Sequence, residues 1–265
     1  MAALLGAVVA LYLSTTGLLQ STATPDLAPF FGDLDGTFVL LNSTTGKYIR
    51  HNAARAAQRF APCSTFKIPH TAILLETGVA PDPGYTLKYD PKLKQPANWA
   101  RDFDLTGAFK ASALWYYHAM ARRVGMLAER RFVTQFGYGN ADTSGGLDGK
   151  RGPFWVDGSL RISADEQVEF LRRFYEERVG LSERTTRLTK AIMRADEGPS
   201  WRLSAKTGAC RPAGERTSIW YVGYVEKGEA VHYFALQIGA ADFGRAFVER
   251  VQLSRRILTA LGVLD

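Results

Sequence analysis

The sequence predicts an α+β fold in which one antiparallel sheet, flanked by helices, collects strands from both chain ends, with a helical lobe in between. Strand-like segments come first, and apolar residues at helical spacing fill the middle of the chain. Runs rich in aromatic and β-branched residues then return before a last helical segment. A length of 265 residues suits one compact unit.

The individual elements are predicted in chain order. Near the N-terminus, strands are predicted over 36–41 and 47–50, joined by a turn-like Asn-Ser-Thr-Thr-Gly. Helices are predicted over 65–76, 114–124, 128–136 and 181–193, with one more that begins at the capping box of Ser163 and Glu166. Strands over 201–206, 217–225 and 231–238 precede a closing helix over 243–261.

Composition narrows the function class. The chain is 46% hydrophobic and 22% charged, which is typical of a globular protein and excludes disorder. Its net charge of +7 comes from basic residues scattered in pairs, without a run of five or more like charges. We therefore predict no nucleic-acid partner, while a basic surface favours anionic small molecules.

The first 23 residues carry no charge and contain an apolar segment that is too short for a comfortable membrane span. Ser21-Thr22-Ala23 offers small residues where a signal peptidase reads them, although a basic residue before the apolar segment is missing. We predict a signal peptide over 1–23 and a single catalytic domain over 24–265, exported to the periplasm or medium without a stable membrane anchor. A buried N-terminal helix is the alternative.

Ser64 and Lys67 form a Ser-x-x-Lys pair. On a helix, residues three apart share a face, so the amine can reach the hydroxyl and act as its base. The four histidines lie in no triad-like context, and Gly-x-Ser-x-Gly is absent. A Ser-x-x-Lys pair alone is weak evidence, because such pairs occur by chance on many helices.

Two further motifs make chance an unsatisfactory explanation. Ser112 precedes a predicted helix, and Lys206-Thr207-Gly208 lies at the end of a predicted strand, where the glycine would let a bound carbonyl approach the backbone. Ser-x-x-Lys, a later Ser motif and Lys-Thr-Gly, in this order, form the signature set of β-lactamases and penicillin-binding proteins.

From about Gly36 to the C-terminus, the sequence resembles the class D (oxacillinase-type) serine β-lactamases. Tyr138-Gly139-Asn140 combined with Phe154-Trp155 is specific to this class among serine β-lactamases. The other matching segments are Pro62 to Pro69, Leu75 to Gly78, Ser144 to Gly146, Leu160 to Ala164 and Lys206 to Gly208. The resemblance implies the fold shared by serine β-lactamases and penicillin-binding transpeptidases, with small-molecule β-lactams as substrates and antibiotic resistance as the biological role.

The resemblance also implies catalytic roles. Ser64 would be the acylated nucleophile, and Lys67, N-carboxylated by carbon dioxide, would be the general base for acylation and deacylation. The Trp155 indole N–H would donate to the carbamate, and Ser112 would relay a proton to the leaving nitrogen. No other cofactor and no metal are predicted.

The resemblance also implies which residues bind the substrate. The backbone N–H groups of Ser64 and Ala209 would form the oxyanion hole. Arg250 would bind the substrate carboxylate with Thr207 and Lys206, and its spacing to Leu253 and Ile257 favours it over Arg245.

Three other residues are predicted at the substrate site. Tyr138 and Asn140 are candidates for substrate contact, with turn-building as the alternative. Leu114 replaces the valine usual in the family's Ser-x-Val motif, so it is expected either to crowd the carbamate or to be accommodated by repacking.

Cys63 precedes the nucleophile and Cys210 follows Lys-Thr-Gly by two residues. A similar pair is bridged in certain carbapenem-hydrolysing enzymes of class A. We predict a Cys63–Cys210 disulfide, with two buried thiols as the alternative.

Two other classes of protein use the same serine nucleophile and are alternatives to a β-lactamase. A penicillin-binding peptidase would lack the carboxylated lysine, and the class D residues argue against it. A β-lactam sensor domain would be acylated without turnover, and such sensors normally belong to membrane-spanning transducers. The sequence is compatible with a monomer or a homodimer.

Overall fold

The computed structural model describes residues 25–149, 152–212, 216–240 and 243–265. Its centre is one antiparallel sheet in the order β2-β1-β6-β5-β4-β3. The strands are β1 Gly36–Asn42, β2 Tyr48–His51, β3 Arg194–Glu197, β4 Trp201–Cys210, β5 Thr217–Lys227 and β6 Ala230–Ala240. The pairing of β1 with β6 joins the two chain ends, as the sequence predicted.

Ten α-helices lie in the described residues. They are α1 Ala28–Phe31, α2 Ala53–Ala56, α3 Lys67–Glu76, α4 Leu105–Ala111, α5 Leu114–Val124, α6 Met126–Gln135, α7 Phe154–Asp157, α8 Ala164–Tyr175, α9 Glu183–Met193 and α10 Phe243–Ala260. Short 3₁₀ helices span Cys63–Phe66 and Pro91–Leu93. The predicted capping box is confirmed, because the Ser163 side chain accepts from the Glu166 N–H and the Glu166 carboxylate accepts from the Ser163 N–H.

The sheet separates two apolar cores. On one face, Leu253 and Ile257 of α10 pack among residues of the central strands such as Ile219 and Leu236. The other face joins α8 and the helical lobe, in which α3 lies buried. This arrangement confirms the predicted α+β architecture, with burial of apolar side chains on both sheet faces as its driving force.

Two strand predictions need correction. Strand β4 does not end at Lys206, since its pairing with β5 continues to Cys210 opposite Ser218. Lys-Thr-Gly therefore lies inside a strand and not at its end. Strand β3 was missed because it is a short edge strand, and its Arg-Ala-Asp-Glu sequence carries no apolar alternation.

The predicted signal peptide lies outside the described residues. Among the residues that are described, no helix is both long and apolar enough to cross a membrane.

Candidate active site

Ser64 lies in the 3₁₀ turn Cys63–Phe66, which we call the nucleophile turn. Thr65 fixes this turn, because its hydroxyl donates to the Pro62 carbonyl at 2.8 Å and accepts from the Gln167 amide at 2.9 Å. Ser64 itself is partly exposed, while its neighbours in the turn are buried. The turn thus presents one hydroxyl at the surface of a rigid core.

Lys67 is the first residue of α3 and is only 1% exposed. Its Nζ lies 3.0 Å from Ser64 Oγ and 5.1 Å from the centre of the Tyr117 ring. Burial lowers the pKa of Lys67 to about 7, because the ammonium form loses its hydration. A substantial fraction of neutral amine is therefore present at neutral pH, which a base or a carbon dioxide acceptor requires.

Ser112 joins this pair from the junction of α4 and α5. It has a left-handed backbone (φ 58°) that turns the chain between the two helices. Its Oγ accepts from Lys206 Nζ at 3.1 Å, so the second and third sequence motifs meet directly. Burial, followed by the positive charges of Lys67, Arg250 and Lys110, holds the pKa of Lys206 well below its usual range.

One edge of β4 remains open at the site. Pairing with β3 reaches only Ser204, so β3 does not cover the edge of the segment from Ala205 to Cys210. Ala209, in this segment, is partly exposed, which suits the predicted oxyanion role of its N–H.

Gly208 has a function that differs from the one expected. A Cβ atom there would lie 2.9 Å from the Pro62 carbonyl oxygen and 3.0 Å from Thr65 Cγ2. The glycine therefore allows β4 to pack against the nucleophile turn, rather than serving only the approach of a substrate carbonyl.

The Cys63–Cys210 disulfide is present, with the two Cα atoms 5.5 Å apart, which confirms the bridge and rejects the free-thiol alternative. It links the residue before the nucleophile to the end of β4. The nucleophile turn and the open strand edge are therefore tied covalently as well as packed.

Arg250 and Arg245, the two candidates for binding the substrate carboxylate, differ in their partners. Arg245 forms ion pairs with Asp33 and Glu249 on the protein surface. Arg250 stacks on the Phe247 ring at 3.7 Å, and its buried Nε has no hydrogen-bond partner among the described residues. Its charge also acts on Lys206. Arg250 is therefore the better placed of the two for a carboxylate.

Trp155 is fully buried in α7 and stacks on Phe66 of the nucleophile turn, with ring centroids 5.3 Å apart. Its indole N–H has no hydrogen-bond partner in the described part of the chain. An unpaired buried donor carries a desolvation cost, so this group is available to an acceptor that enters the pocket.

The surroundings of Tyr138 and Asn140 favour the turn-building alternative over substrate contact. Tyr138 is fully buried, with its hydroxyl 3.4 Å from the Gln167 amide oxygen. The Asn140 side chain donates to the Ser159 carbonyl and accepts from the Arg161 N–H, both at 2.8 Å. Both polar ends of Asn140 are thereby used in holding two loops together.

Leu114, at the start of α5, is half-buried and borders a small surface groove together with Leu93 and His118. The groove gives its longer side chain room outside the core. This placement favours accommodation over crowding of Lys67.

Sequence reasoning missed His70 and Glu129, which form a buried pair with His70 Nε2 2.9 Å from Glu129 Oε1. The sequence could have indicated His70, because it follows Lys67 by the same three-residue spacing that links Ser64 to Lys67. It could not have indicated Glu129 as the partner, because Glu129 lies 59 positions further along the chain, on α6.

Comparison with known proteins finds related sequences over most of the chain. A model of the penicillin-binding protein transpeptidase domain matches residues 36–252. β-Lactamase OXA-5 of Pseudomonas aeruginosa is 35% identical over 231 residues, covering 86% of this chain and 85% of that protein. β-Lactamase OXA-48 of Klebsiella pneumoniae is 37% identical over 203 residues, covering 77% of this chain and 75% of that protein.

Solved structures of related proteins have the same fold. The class D β-lactamase YbXI from Nostoc superposes with a TM-score of 0.83 at 33% identity, covering 90% of this chain and 99% of that one. A class D β-lactamase from Sebaldella termitidis has the same TM-score at 34% identity, covering 90% of this chain and 96% of that one.

Proposed function

The chain belongs to the class D serine β-lactamases, and from this premise we propose that it hydrolyses the β-lactam ring of penicillin-type antibiotics through an acyl-enzyme on Ser64. The observation that carries the proposal is the 3.0 Å contact between Ser64 Oγ and a Lys67 amine that is almost fully buried. This contact provides the weakly nucleophilic hydroxyl with a proton acceptor. Antibiotic resistance is the corresponding biological role.

The pocket around Lys67 fits an N-carboxylated lysine. Burial provides the neutral amine to which carbon dioxide adds, and the unpartnered Trp155 N–H provides a donor for the resulting anion. When formed, the carbamate would supply a general base for both acylation and deacylation.

The protein's own groups account for the rest of the chemistry. Ser64 Oγ attacks the lactam carbonyl, and the Ser64 and Ala209 N–H groups donate to the developing oxyanion. The carbon–nitrogen bond then breaks, and Ser112, held by Lys206 at 3.1 Å, passes a proton to the leaving nitrogen. Water later cleaves the ester and restores the Ser64 hydroxyl.

Substrate recognition rests on one arginine and two hydrogen-bond donors of the cleft. Arg250 supplies positive charge, and Lys206 and Thr207 supply hydrogen-bond donors, for the carboxylate that penicillins carry beside the lactam. A single anionic small molecule satisfies these groups, so neither nucleic acid nor a protein partner is needed. We also propose export, directed by the charge-free N-terminal segment.

The test is nitrocefin or penicillin hydrolysis with and without added bicarbonate. We expect turnover that falls in degassed buffer at acidic pH and recovers when bicarbonate is added. Full activity in bicarbonate-free buffer would contradict the carbamate, while a burst of one equivalent without turnover would instead indicate a sensor.

Trp155→Phe sharpens this test, because it removes the N–H while keeping an aromatic ring. We expect it to raise the bicarbonate concentration needed for half-maximal activity. Trp201→Phe is the matched control, since Trp201 also has a buried indole nitrogen without a partner but lies in the other core, at the far end of β4. Equal bicarbonate requirements in both variants would contradict the role of Trp155.

A further inference from the structure

His70 and Glu129 are two ionisable side chains with no solvent exposure, on α3 and α6 respectively. Their closest polar atoms are 2.9 Å apart. Within the described residues, neither ring nitrogen of His70 and neither oxygen of Glu129 has a well-aligned hydrogen bond. The contact between the two residues is therefore their main electrostatic compensation.

The pair lies directly behind the lysine pocket. The His70 ring is 5.2 Å from the Trp155 ring and 5.4 Å from the Tyr117 ring, measured between centroids. Tyr117 is the ring that faces Lys67 Nζ, and Trp155 carries the unpartnered N–H. His70 thus supports both walls against which a carboxylated Lys67 would rest.

A fully buried pair of ionisable side chains is a costly feature. Hydrophobic residues of similar volume often give equal or greater stability, so the pair is poorly explained by stability alone. We propose that His70 and Glu129 are positioning residues for the Lys67 pocket, which set how readily Lys67 takes up carbon dioxide. The inference rests on the proposed carboxylation and names two further residues that control it.

The effect is transmitted through packing. The Glu129 carboxylate lies 2.9 Å from His70 Nε2 and so holds the imidazole ring against the ring walls of the lysine pocket. Tyr117, whose hydroxyl lies 2.7 Å from Thr71 Oγ1, is the other titratable group packed against His70. The His70 ring also fixes the orientation of the Trp155 donor.

Glu129→Gln tests this with little change in shape. Without the carboxylate, His70 loses the acidic partner that lies 2.9 Å from its Nε2 and holds the ring in place. We expect the bicarbonate concentration for half-maximal nitrocefin turnover to rise about five-fold, because the Trp155 donor to the carbamate is no longer held in one orientation. At saturating bicarbonate, kcat should stay within about two-fold of the parent value.

Glu169→Gln is the control, because Glu169 makes a surface ion pair with Arg172 on α8. An unchanged bicarbonate requirement in Glu129→Gln, together with a lower unfolding temperature, would reduce the pair to a structural feature and overturn the inference. Failure of the proposed function is seen separately, as absence of a bicarbonate response in the parent enzyme itself.

A second variant covers the case in which Glu129→Gln does not fold. His70→Phe combined with Glu129→Met removes both ionisable side chains, so no buried polar group is left without a partner. The carbon-13 NMR signal of the carbamate, followed during titration with labelled bicarbonate, measures Lys67 uptake independently of turnover. Weaker uptake in the folded double variant supports the inference, and parent-like uptake overturns it.

Discussion

The Cα of Gly208 lies so close to Pro62 that an added Cβ would be 2.9 Å from the Pro62 carbonyl oxygen. This approach joins β4, which carries Lys206 and Thr207, to the turn that carries Ser64. Neither backbone segment can move away without separating the nucleophile from the open strand edge. The Lys-Thr-Gly motif therefore contributes to packing at the active site as well as providing functional groups.

Gly208→Ala is expected to push β4 away from the nucleophile turn. Overpacking of this kind typically costs about 1–3 kcal/mol of stability. Displacement of reacting groups by about 1 Å can lower kcat/KM by roughly 100-fold. Nitrocefin kinetics and urea unfolding measure the two effects.

Gly46→Ala is the control for a loss of stability alone, because Gly46 has a φ of 65° that is unfavourable for alanine but faces open space, whereas Gly208 has no such φ. It should lose stability and keep its activity. Parent-like kinetics in Gly208→Ala would show that the close approach is not required.

Removal of the Cys63–Cys210 bridge is expected to lower the free energy of unfolding by about 2–5 kcal/mol, because the bridge restricts the unfolded chain. The bridge closes a long loop, whose two ends are 147 positions apart in the sequence, and lies next to Ser64. The Cys63→Ser, Cys210→Ser double variant should therefore unfold at lower urea concentration. Dithiothreitol should destabilise the parent enzyme and leave the double variant unchanged. Titration of two thiols in the unfolded, unreduced parent would disprove the bridge.

The pH profile should follow Lys67. Its pKa of about 7 means that the amine gains a proton as the pH falls through that value, and the ammonium form can neither accept the Ser64 proton nor add carbon dioxide. At constant dissolved carbon dioxide, kcat/KM should therefore decrease on the acidic side, approaching roughly ten-fold per pH unit below about pH 6. The unfolding temperature over the same range verifies that the fold persists. A flat profile from about pH 5 to 8 would contradict this assignment.

Arg250→Ala is expected to weaken substrate binding more than chemistry. Loss of charge-assisted hydrogen bonds to a carboxylate typically costs about 1.5–3 kcal/mol, which corresponds to roughly a 10–100-fold increase in KM. The value of kcat should change much less. Arg245→Ala, on the same helix, should leave KM nearly unchanged because Arg245 pairs with Asp33 and Glu249. The opposite order of effects would transfer the carboxylate site to Arg245.

Local sequence patterns predicted much of the fold. The capping box at Ser163 placed α8, and the spacing of apolar residues gave the bounds of α5. Short elements such as β3 escaped detection, because its Arg-Ala-Asp-Glu sequence lies on a sheet edge and shows no apolar alternation. The class of enzyme also followed from the sequence, since three motifs in a fixed order carry the chemistry.

The sequence by itself determined the Ser64–Lys67 pair, because two residues three positions apart on a helical turn must share a face. Only the tertiary structure decided the distant relationships: the burial that sets the pKa of Lys67, the contact of Gly208 with Pro62, the structural role of Tyr138, and the pairing of His70 with Glu129. These depend on strand register and on the packing of helices far apart in the chain. No local spacing encodes them, because they arise only when the two cores close around the sheet.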